Sequence, residues 1–420
     1  MRVKSIKGVK DILPGEIEKW QWVESLAHRI FAQYGFKEIR IPIFEYTKLF
    51  KRSIGETTDI VEKEMYTFQD RSGDEITLRP EGTASVVRSY IEHKMYGSGS
   101  LVKLYYMGPM FRYERPQAGR FRQFYQIGVE AMGSANPAVD AEVMSMLIEF
   151  FTAIGLQDLE LQINSLGCSD CRPNYREVLK GSIKNHLAEL CANCNQRYQR
   201  NPLRVLDCKV ERDREIARNL PRIKDHLCQT CRDDFSTVQA LLDSIGTPYS
   251  LNDYLVRGLD YYTRTSFEVV ARQGLGSQNA ICGGGRYDSL VEDFEGPPTP
   301  CFGFAIGLER LVSLIPEDKI KNLGTRPDIY VLSLGEEARQ ESFKLAHILR
   351  KNGWVVEREL AGGTMKSQMR KANKLASRFV LILGENEIKS GRYILKNMDG
   401  GEQVEIPRDS LVAEIRAHLQ

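Results

Sequence analysis

The chain has 420 residues, of which 42% are hydrophobic, and lysine plus arginine outnumber aspartate plus glutamate by only 58 to 56. This length predicts roughly two or three globular domains, and the balanced charge excludes a uniformly basic surface, so that nucleic acid could be met only by local patches. No run of about 18 apolar residues occurs and the segment MRVKSIKGVKDILPGE has no apolar stretch, so we expect no membrane span, no signal peptide and a cytoplasmic protein.

The N-terminal part of the sequence predicts a helix followed by paired strands. Apolar residues share one helical face over residues 14–34, and the segment IRIPIFEY is extended and interrupted by Pro42. MYTFQ and EITLRPE flank the turn DRSGD and predict a hairpin. The segments LVKLYYMGPMFRYE and FRQFYQIGVEAMG are joined by the short link RPQAGR, which favours antiparallel pairing. A helix over 137–154 and the strand LELQINSLG follow.

The rest of the sequence changes character twice. The region 168–231 is rich in cysteine and predicts a separate, largely helical unit. Strands are then predicted over 249–270 and at SQNAICGGG, and FGFAIGLERLVSLI is predicted to open a helix. From Arg326 strands alternate with helices, which predicts a small α/β domain of mostly parallel strands after the linker PEDKIKNLGTRPD.

An arginine cluster surrounds the link between the two long strands. Arg112, Arg115, Arg120 and Arg122 are accompanied by a single carboxylate, Glu114. Guanidinium groups this close repel one another unless they share an anion, and their forked N–H groups fit phosphate or carboxylate oxygens. The cluster therefore predicts an anion site, and the alternative is a solvated surface hairpin.

Polar residues at positions expected to face a core predict a small-molecule pocket. Gln126 and Glu130 are four residues apart on a strand and therefore share one face. Glu81 and Thr83, in RPEGT, add a carboxylate and a hydroxyl at a strand end. The sequence has neither a P-loop nor a dinucleotide-binding glycine motif, so a polyphosphate would have to be held by arginines. Arg310 in GFAIGLERL is one more candidate, although this segment alone would be an ordinary buried helix with a charged end.

The segment RGLDYYTRTSFEVV, residues 257–270, carries two arginines, an aspartate and two adjacent tyrosines into a β-branched and aromatic run. Such a segment is either an exposed amphipathic strand or a strand that brings polar groups to a binding site.

Together these segments resemble a known family. YYMGPMFRYERPQAGRFRQFYQIGVE followed by GFAIGLERL closely resembles the second and third signature motifs of the class II aminoacyl-tRNA synthetases, and IRIPIFE is similar to the first. LVRGLDYYTRTSFE and AICGGGRYDSL match the two signatures special to the histidyl-tRNA synthetase family. The resemblance implies a homodimeric α+β protein with a six-stranded antiparallel class II synthetase sheet flanked by helices, a helical insertion and a C-terminal α/β anticodon-binding domain. The implied boundaries are 1–167 and 236–322 for the catalytic domain, 168–235 for the cysteine-rich insertion and 326–420 for the anticodon-binding domain.

The activity that the resemblance implies is ligation of histidine to tRNA(His). ATP with Mg²⁺ would activate L-histidine to histidyl-adenylate, and the terminal adenosine of the tRNA would then take the histidyl group. Because the nucleophile comes from the substrate, the protein's task would be positioning and charge neutralisation. The implied histidine-binding residues are Glu81, Gly82, Thr83, Gln126, Glu130, Tyr261 and Tyr262, with Glu130 and Tyr262 on the imidazole. The implied catalytic and ATP-binding residues are Arg112, Arg257 and Arg310, and the implied tRNA-binding residues are Arg115 and Gln117.

The cysteines lie outside the family pattern, which does not require them. Nine cysteines without a secretory signal favour reduced thiols or metal ligands over disulfides. Two Cys-x-x-Cys pairs with the spacing of a structural zinc ribbon are the predicted zinc ligands: Cys168, Cys171, Cys191 and Cys194. The pair Cys228/Cys231 could replace either of them, and the alternative to zinc is a set of unliganded thiols that pack the insertion.

A basic stripe is predicted in the C-terminal domain. Lys366, Arg370, Lys374 and Arg378 recur every four residues on a helix expected over about 364–376. The stripe is either a solvated face or a surface that contacts tRNA phosphates.

Two other functions use related folds, namely a non-catalytic regulator that senses histidine or uncharged tRNA and a ligase that adenylates another carboxylic acid. Regulators of this kind lose the strand-borne arginine and tyrosines or the C-terminal domain, whereas Arg257, Tyr261, Tyr262 and residues 326–420 are present here. Glu130 with Tyr262 suits an imidazole, which argues against the second alternative.

Overall fold

The computed structural model describes residues 3–419 except 56–57, 59, 118, 274, 276–278, 322 and 325. The chain forms two compact units, Met1–Ile320 and Lys321–Gln420. Among the described residues, no helix combines the length and the apolar character that crossing a membrane requires.

The helices of the first unit include the two predicted over 14–34 and 137–154. They are α1 (Ile17–Gln33), α2 (Thr47–Ile54), α3 (Thr83–Glu92), α4 (Ala138–Ile154), α5 (Cys171–Lys184), α6 (Ala192–Arg200), α7 (Glu211–Ala217), α8 (Gln229–Ser244), α9 (Leu290–Asp293), α10 (Leu308–Ser313) and α11 (Glu317–Ile320). The strands of this unit are β1 (Lys37–Glu38), β2 (Phe44–Tyr46), β3 (Tyr66–Gln69), β4 (Glu75–Leu78), β5 (Val102–Phe111), β6 (Gln123–Met132), β7 (Leu159–Ser165), β8 (Ser250–Leu251), β9 (Thr263–Ala271), β10 (Ala280–Arg286) and β11 (Cys301–Gly307).

The large sheet of this unit has the strand order β1-β5-β6-β11-β10-β9-β7-β8. Every pairing from β5 to β7 is antiparallel, whereas the two-residue strands β1 and β8 pair in parallel with β5 and β7 at the edges. The predicted six-stranded antiparallel sheet is therefore confirmed, with a short parallel strand added at each edge. A smaller sheet, β2-β4-β3, contains the predicted hairpin.

Strand β6 shows how the large sheet separates core from site. Ile127, Val129 and Ala131 are buried in the main core, which helices α1, α4 and α8 complete. Because successive side chains on a strand point to opposite faces, Gln126 and Glu130 lie on the other face. That face, away from the main core, is where the polar residues collect.

The helix predicted to open at FGFAIG is wrong. These residues form strand β11, paired with β6 and β10, and helix α10 begins only at Leu308. Phe302, Phe304 and Ile306, which are two residues apart, are all buried in the main core, and this spacing of two is typical of a strand. Pairing on both sides of β11 decides the conformation of a segment that is apolar enough for either structure.

The continuous strand predicted over 249–270 is also wrong. Only Ser250–Leu251 and Thr263–Ala271 are strands, and the residues between them form turns and irregular backbone. Arg257, Tyr261 and Tyr262 therefore precede strand β9 and do not lie on it. The backbone of this stretch is tied down from outside, since the guanidinium of Arg172 donates to the carbonyl of Tyr262.

The cysteine-rich insertion has a core of its own. Helices α5 to α8 and the turns between them bury apolar side chains that include Tyr175, Leu179 and Ile183. The helical character predicted for this region is confirmed. Helix α8 continues to Ser244, where Val238 and Leu242 join the main core of the large sheet.

The second unit is a five-stranded sheet with helices. Its helices are α12 (Glu336–Lys351), α13 (Met365–Lys374), α14 (Glu385–Ser390) and α15 (Leu411–Leu419), and its strands are β12 (Ile329–Ser333), β13 (Val356–Arg358), β14 (Phe379–Leu383), β15 (Arg392–Asn397) and β16 (Gln403–Pro407). In the order β13-β12-β14-β15-β16, the first two pairings are parallel and the last two antiparallel. The expectation of mostly parallel strands therefore holds for only half of the sheet, because β15 and β16 are joined by a short turn that allows only antiparallel pairing.

The predicted basic stripe is shorter than its spacing suggested. Lys366, Arg370 and Lys374 are exposed on helix α13, but the helix ends there and Ala376 has a positive φ of 52°. Arg378 lies beyond this break, is half-buried and pairs with Asp328 at 3.4 Å.

Candidate active site

A cavity of about 490 Å³ lies on the polar side of the large sheet. Its walls come from strands β5, β6, β9, β10 and β11, from the link after β5 and from residues 256–262. Most of the residues predicted for histidine and ATP line it: Glu81, Thr83, Arg112, Gln126, Arg257, Tyr261, Tyr262 and Arg310. The fold thus brings together side chains that are as far apart in sequence as Glu81 and Arg310.

Glu81 and Thr83 stand at the beginning of helix α3. The buried carboxylate of Glu81 accepts hydrogen bonds from the backbone N–H groups of Thr83, at 2.6 Å, and Ala84, at 3.0 Å. These are unpaired N–H groups of a helix N-terminus, where a negative charge is favoured. Burial nevertheless raises the pKa of Glu81. The carboxylate is fixed in place by the helix that follows it.

Glu130 lies beneath this helix start and does not itself line the cavity. The Thr83 hydroxyl donates to its Oε1 at 2.7 Å, and the Tyr287 hydroxyl donates to its Oε2. Its side chain is buried, and burial raises the pKa of Glu130 to about 8. Both oxygens of the predicted imidazole partner are therefore already engaged by protein hydroxyls. Tyr287, which follows CGGGR in the sequence, was not predicted as part of this group.

Tyr106 forms the floor of the cavity. Its ring crosses Gly82 and Gly128 so closely that a methyl group on either residue would overlap it. Gly82, which is predicted to bind histidine, is therefore also required for packing, since a side chain there would displace Tyr106. Among the described residues, the buried hydroxyl of Tyr106 and the buried Oε1 of Gln126 have no hydrogen-bond partner. Two residues that line the cavity therefore each carry a buried polar atom whose hydrogen bond is unfilled.

Arg257 is held across the sheet by three contacts. Its guanidinium pairs with Glu268 on β9, lies 5.5 Å from the centre of the Tyr262 ring and rests on Gly283, where any side chain would overlap it. Only 15% of the Arg257 side chain is exposed, and its Nε has no partner among the described residues. Glu268 also lines the cavity and was not predicted.

Arg112, Arg120 and Arg310 line the same cavity around Glu114. Arg112 donates to the carbonyl of Pro80 at 2.8 Å, and Arg310 donates to the carbonyl of Ala280 at 2.6 Å. Burial, followed by the charge of Arg120, lowers the pKa of Arg310. Backbone carbonyls thus fix these guanidinium groups, and a cavity that holds three of them favours an anion.

The remaining arginines of the predicted anion cluster lie elsewhere. Arg115 and Gln117 are exposed on the loop between β5 and β6 and do not line the cavity. Arg122 stacks on the ring of Tyr113 at 3.9 Å and also lies outside it. The four-arginine anion site is therefore reduced to Arg112 and Arg120, with Arg310 added from α10.

The cysteines of the insertion form two groups, in which Cys168 and Cys171 lie with the alternative pair Cys228/Cys231 and not with Cys191 and Cys194. The four-cysteine group comprises Cys168, Cys171, Cys228 and Cys231, and the cysteine–aspartate group comprises Cys191, Cys194, Cys208 and Asp213. In the four-cysteine group, the sulfur of Cys168 lies 3.7 Å from that of Cys171 and 3.9 Å from that of Cys228. Helix α5 begins at Cys171 and carries the chain away, so the beginning of α8 supplies the second pair.

Glu130 should make the stability of the protein depend on pH. Its pKa is raised by burial from an ordinary value of 4.5 to about 8, so between these values the folded protein keeps a proton that the unfolded chain releases. The free energy of unfolding should therefore fall as the pH rises from about 4.5 through 8. Glu130→Gln removes this titration, and urea unfolding of both proteins across the range measures its share. A stability difference between wild type and variant that stays constant over the range would contradict the raised pKa.

Similarity to known proteins extends over nearly the whole chain. A family model described as "Histidyl-tRNA synthetase" matches residues 8–311, and one described as "Anticodon binding domain" matches residues 328–418. The chain is 52% identical over 411 residues to a histidine–tRNA ligase of Syntrophotalea carbinolica, covering 98% of this chain and 97% of the relative. It is 53% identical over 405 residues to that of Geobacter sulfurreducens, covering 96% and 97%. The crystal structure of apo histidyl-tRNA synthetase from S. aureus matches with a TM-score of 0.85 at 39% identity, covering 99% of this chain and 100% of that chain.

Proposed function

The chain belongs to the histidyl-tRNA synthetase family, and we propose that its cavity is where ATP and L-histidine form histidyl-adenylate before transfer to tRNA(His). In this assignment residues 1–167 and 236–322 are the catalytic domain, 168–235 an insertion and 326–420 the anticodon-binding domain. Family members use ATP with Mg²⁺. The carboxylates of Glu114 and Glu268, which line the cavity and pair with Arg120 and Arg257, would be shared with this ion, since Mg²⁺ prefers oxygen ligands. When bound, the ion neutralises phosphate charge.

The observation that carries this proposal is a protonatable carboxyl group, Glu130, held behind Thr83 next to a cavity that also contains several guanidinium groups. An imidazole ring offers an N–H at one edge and a second nitrogen at the other, so it can be read by groups that both donate and accept. Glu130 with Tyr262 would read the ring. The carboxylate of Glu81, the Thr83 hydroxyl and the free Oε1 of Gln126 suit the α-ammonium group.

The arginines suit the other substrate and the reacting groups. Arg112 and Arg310 would bind the ATP phosphates and the adenine, because carbonyl contacts at one edge leave their other N–H groups for a ligand. Arg257 would lie between the histidine carboxylate and the α-phosphate. The carboxylate attacks phosphorus and pyrophosphate leaves, so the chain supplies orientation and positive charge and no nucleophile.

Contacts to tRNA are assigned to exposed groups. Arg115 and Gln117 extend from the loop beside the cavity, where an acceptor end would enter. In the anticodon-binding domain, Lys366, Arg370 and Lys374 remain the candidates for phosphate contacts, and Arg378 is set aside because it pairs with Asp328. A non-catalytic regulator needs none of the cavity arginines, all of which are present here.

Two further properties are proposed for the protein as a whole. The smaller sheet exposes Phe44, Tyr46 and Phe68 next to the segment that resembles the first class II motif, which supports a homodimer formed through this face. All nine cysteines are free thiols in the structure, which supports a reducing compartment, the cytoplasm.

The four-cysteine group is proposed as a structural zinc site. A tetrahedral zinc with Zn–S bonds of about 2.3 Å separates its sulfurs by about 3.8 Å, and the sulfur of Cys168 lies 3.7 Å from that of Cys171 and 3.9 Å from that of Cys228. The backbone N–H of Cys228 donates to the sulfur of Cys171 at 3.0 Å, a contact that stabilises a thiolate ligand. Zinc would tie the beginning of α5 to the beginning of α8, and so close the base of the insertion.

Exchange of pyrophosphate into ATP should depend on histidine and on no other amino acid. The reason is that Gln126 and Tyr262 line the cavity and Glu130 lies behind Thr83, so in this proposal an imidazole would meet groups that both donate and accept. The measurement is isotope exchange with each amino acid in turn, using Glu130→Ala as the variant expected to need more histidine. Equal exchange with another amino acid would replace the substrate, and no exchange with any would favour a regulator.

A further inference from the structure

We propose a second zinc site in the insertion, separate from the four-cysteine group, that holds part of the wall of the catalytic cavity in place. Its ligands are the cysteine–aspartate group, Cys191, Cys194, Cys208 and Asp213.

The geometry of the cysteine–aspartate group fits a tetrahedral ion. Its four ligand atoms lie within 4.8 Å of one another. The sulfurs of Cys191 and Cys208 are 3.9 Å apart, close to the separation of about 3.8 Å that two sulfurs have on one zinc. The sulfur of Cys208 lies 3.2 Å from Oδ2 of Asp213, a short edge as expected for a ligand pair that includes oxygen.

The charge of Asp213 is an independent indication of a cation. Its side chain is 1% exposed, yet no lysine, arginine or histidine in the described part of the chain forms an ion pair with it. Its partners are the backbone N–H of Cys191, 3.2 Å from both carboxylate oxygens, and the thiol of Cys208. A buried carboxylate without a positive partner is costly, and a metal ion bound by three neighbouring thiolates would compensate it.

The two groups share one local fold. Cys191 caps helix α6 and its sulfur accepts from the backbone N–H of Cys194 at 3.4 Å. Cys228 caps helix α8 and its sulfur accepts from the backbone N–H of Cys231 at 3.5 Å. Each Cys-x-x-Cys pair thus presents two sulfurs from a helix N-terminus, where a thiolate is favoured. The pair at α6 finds its remaining ligands in Cys208 and Asp213, and not in the four-cysteine group.

A ligand of the second site is adjacent in sequence to residues that line the cavity. Cys208 is buried, and its neighbours Asp207 and Lys209 are both exposed and both line the catalytic cavity. Zinc bound at Cys208 would therefore fix the position of this part of the cavity wall. The metal content does not depend on the proposed function, whereas this effect on the cavity does.

The test is metal analysis of the untagged full chain, purified without chelator, together with four variants. Wild type should contain two zinc ions per chain, one for each group. Cys208→Ser and Asp213→Asn should each lose one zinc ion and keep the other, and Cys228→Ser should lose the other one. Cys301→Ser, a buried cysteine outside both groups, is the matched control and should keep both. Asp213→Asn keeps the shape of the side chain, so its result stands if Cys208→Ser fails to fold.

The second readout is the pyrophosphate exchange kinetics of Asp213→Asn. Loss of the second zinc should raise the Michaelis constant for ATP or histidine more than it lowers the maximal rate. The combined loss in the ratio of maximal rate to Michaelis constant should be at most about 10²-fold, the scale for a displaced cavity wall. No zinc in wild type, or zinc content unchanged from wild type in both Cys208→Ser and Asp213→Asn, overturns the site. Loss of one zinc ion with unchanged kinetics overturns only its link to the cavity.

Discussion

Replacing Arg257 with alanine should lower the rate of histidyl-adenylate formation by about 10²- to 10³-fold, with much smaller changes in the Michaelis constants. In the proposed assignment, the negative charge beside this guanidinium increases as the α-phosphorus becomes five-coordinate, so its contact would be stronger in the transition state than in the ground state. The group is also held in advance, by Glu268, by the Tyr262 ring and by the close approach of Gly283. Because the guanidinium is already in position before the reaction, removing it should remove its full stabilisation of the transition state.

Pre-steady-state measurement of adenylate formation tests this prediction. Arg257→Lys should restore only part of the rate, because one ammonium group cannot bridge a carboxylate and a phosphate as a guanidinium can. Arg272→Ala is the matched control, since Arg272 is exposed, pairs with Glu160 at 3.7 Å and does not line the cavity. Adenylate formed at the wild-type rate by Arg257→Ala would assign Arg257 to folding alone.

Replacing Asp140 with alanine should lower the free energy of unfolding by about 3 to 5 kcal/mol, the range for breaking a buried ion pair. Asp140 and Arg286 are 2.7 Å apart, with side chains only 1% and 3% exposed. Burial raises the pKa of Asp140 to about 6, against the opposing charge of Arg286, so the pair is ionised above that pH. The variant would leave the buried guanidinium with the carbonyls of Ser134 at 3.1 Å and Asn136 at 3.0 Å and with the carboxylate of Asp288 at 3.4 Å.

Urea unfolding at a pH above 7 measures the loss. The matched control is Glu75→Ala, which breaks an exposed ion pair with Lys51 at 3.1 Å and should cost at most about 1 kcal/mol. Arg286 ends β10 and is followed by Tyr287, which donates to Glu130, so Asp140→Ala should also weaken histidine binding. Equal losses in the two variants would show that the buried pair contributes no more than a surface one.

The spacing of apolar residues and the short links between elements made much of the fold predictable from the sequence. Helices α1 and α4 and strands β5 and β6 have clear periods and short links, and all four were predicted. Strand β11 was predicted as a helix because Phe302, Phe304 and Ile306 lie in a run that is apolar at nearly every position. Its conformation is decided by β6 and β10, which are distant in sequence.

The candidate site was predictable where its residues belong to motifs, and much less so where they act through neighbours. Arg112, Arg257 and Arg310 all line the cavity as expected. Glu268 and Tyr287, by contrast, look like ordinary strand and turn residues, and only the folded chain places them against Arg257 and Glu130. The cysteine spacing likewise left open whether Cys168 and Cys171 join Cys191/Cys194 or Cys228/Cys231, because spacing along the chain does not reveal which helix N-termini meet.

The close packing of Tyr106, which forms the floor of the cavity, also affects how the protein could become resistant to a competitive inhibitor. Gly82 and Gly128 cannot gain a side chain without displacing the ring that crosses them, and Gly283 cannot gain one without displacing Arg257. A compound that rests against Tyr106 and Arg257 would therefore meet a surface that substitution of these three glycines cannot reshape without moving those side chains. We expect resistance mutations to arise instead at exposed positions on the cavity rim, such as Asp207 and Lys209.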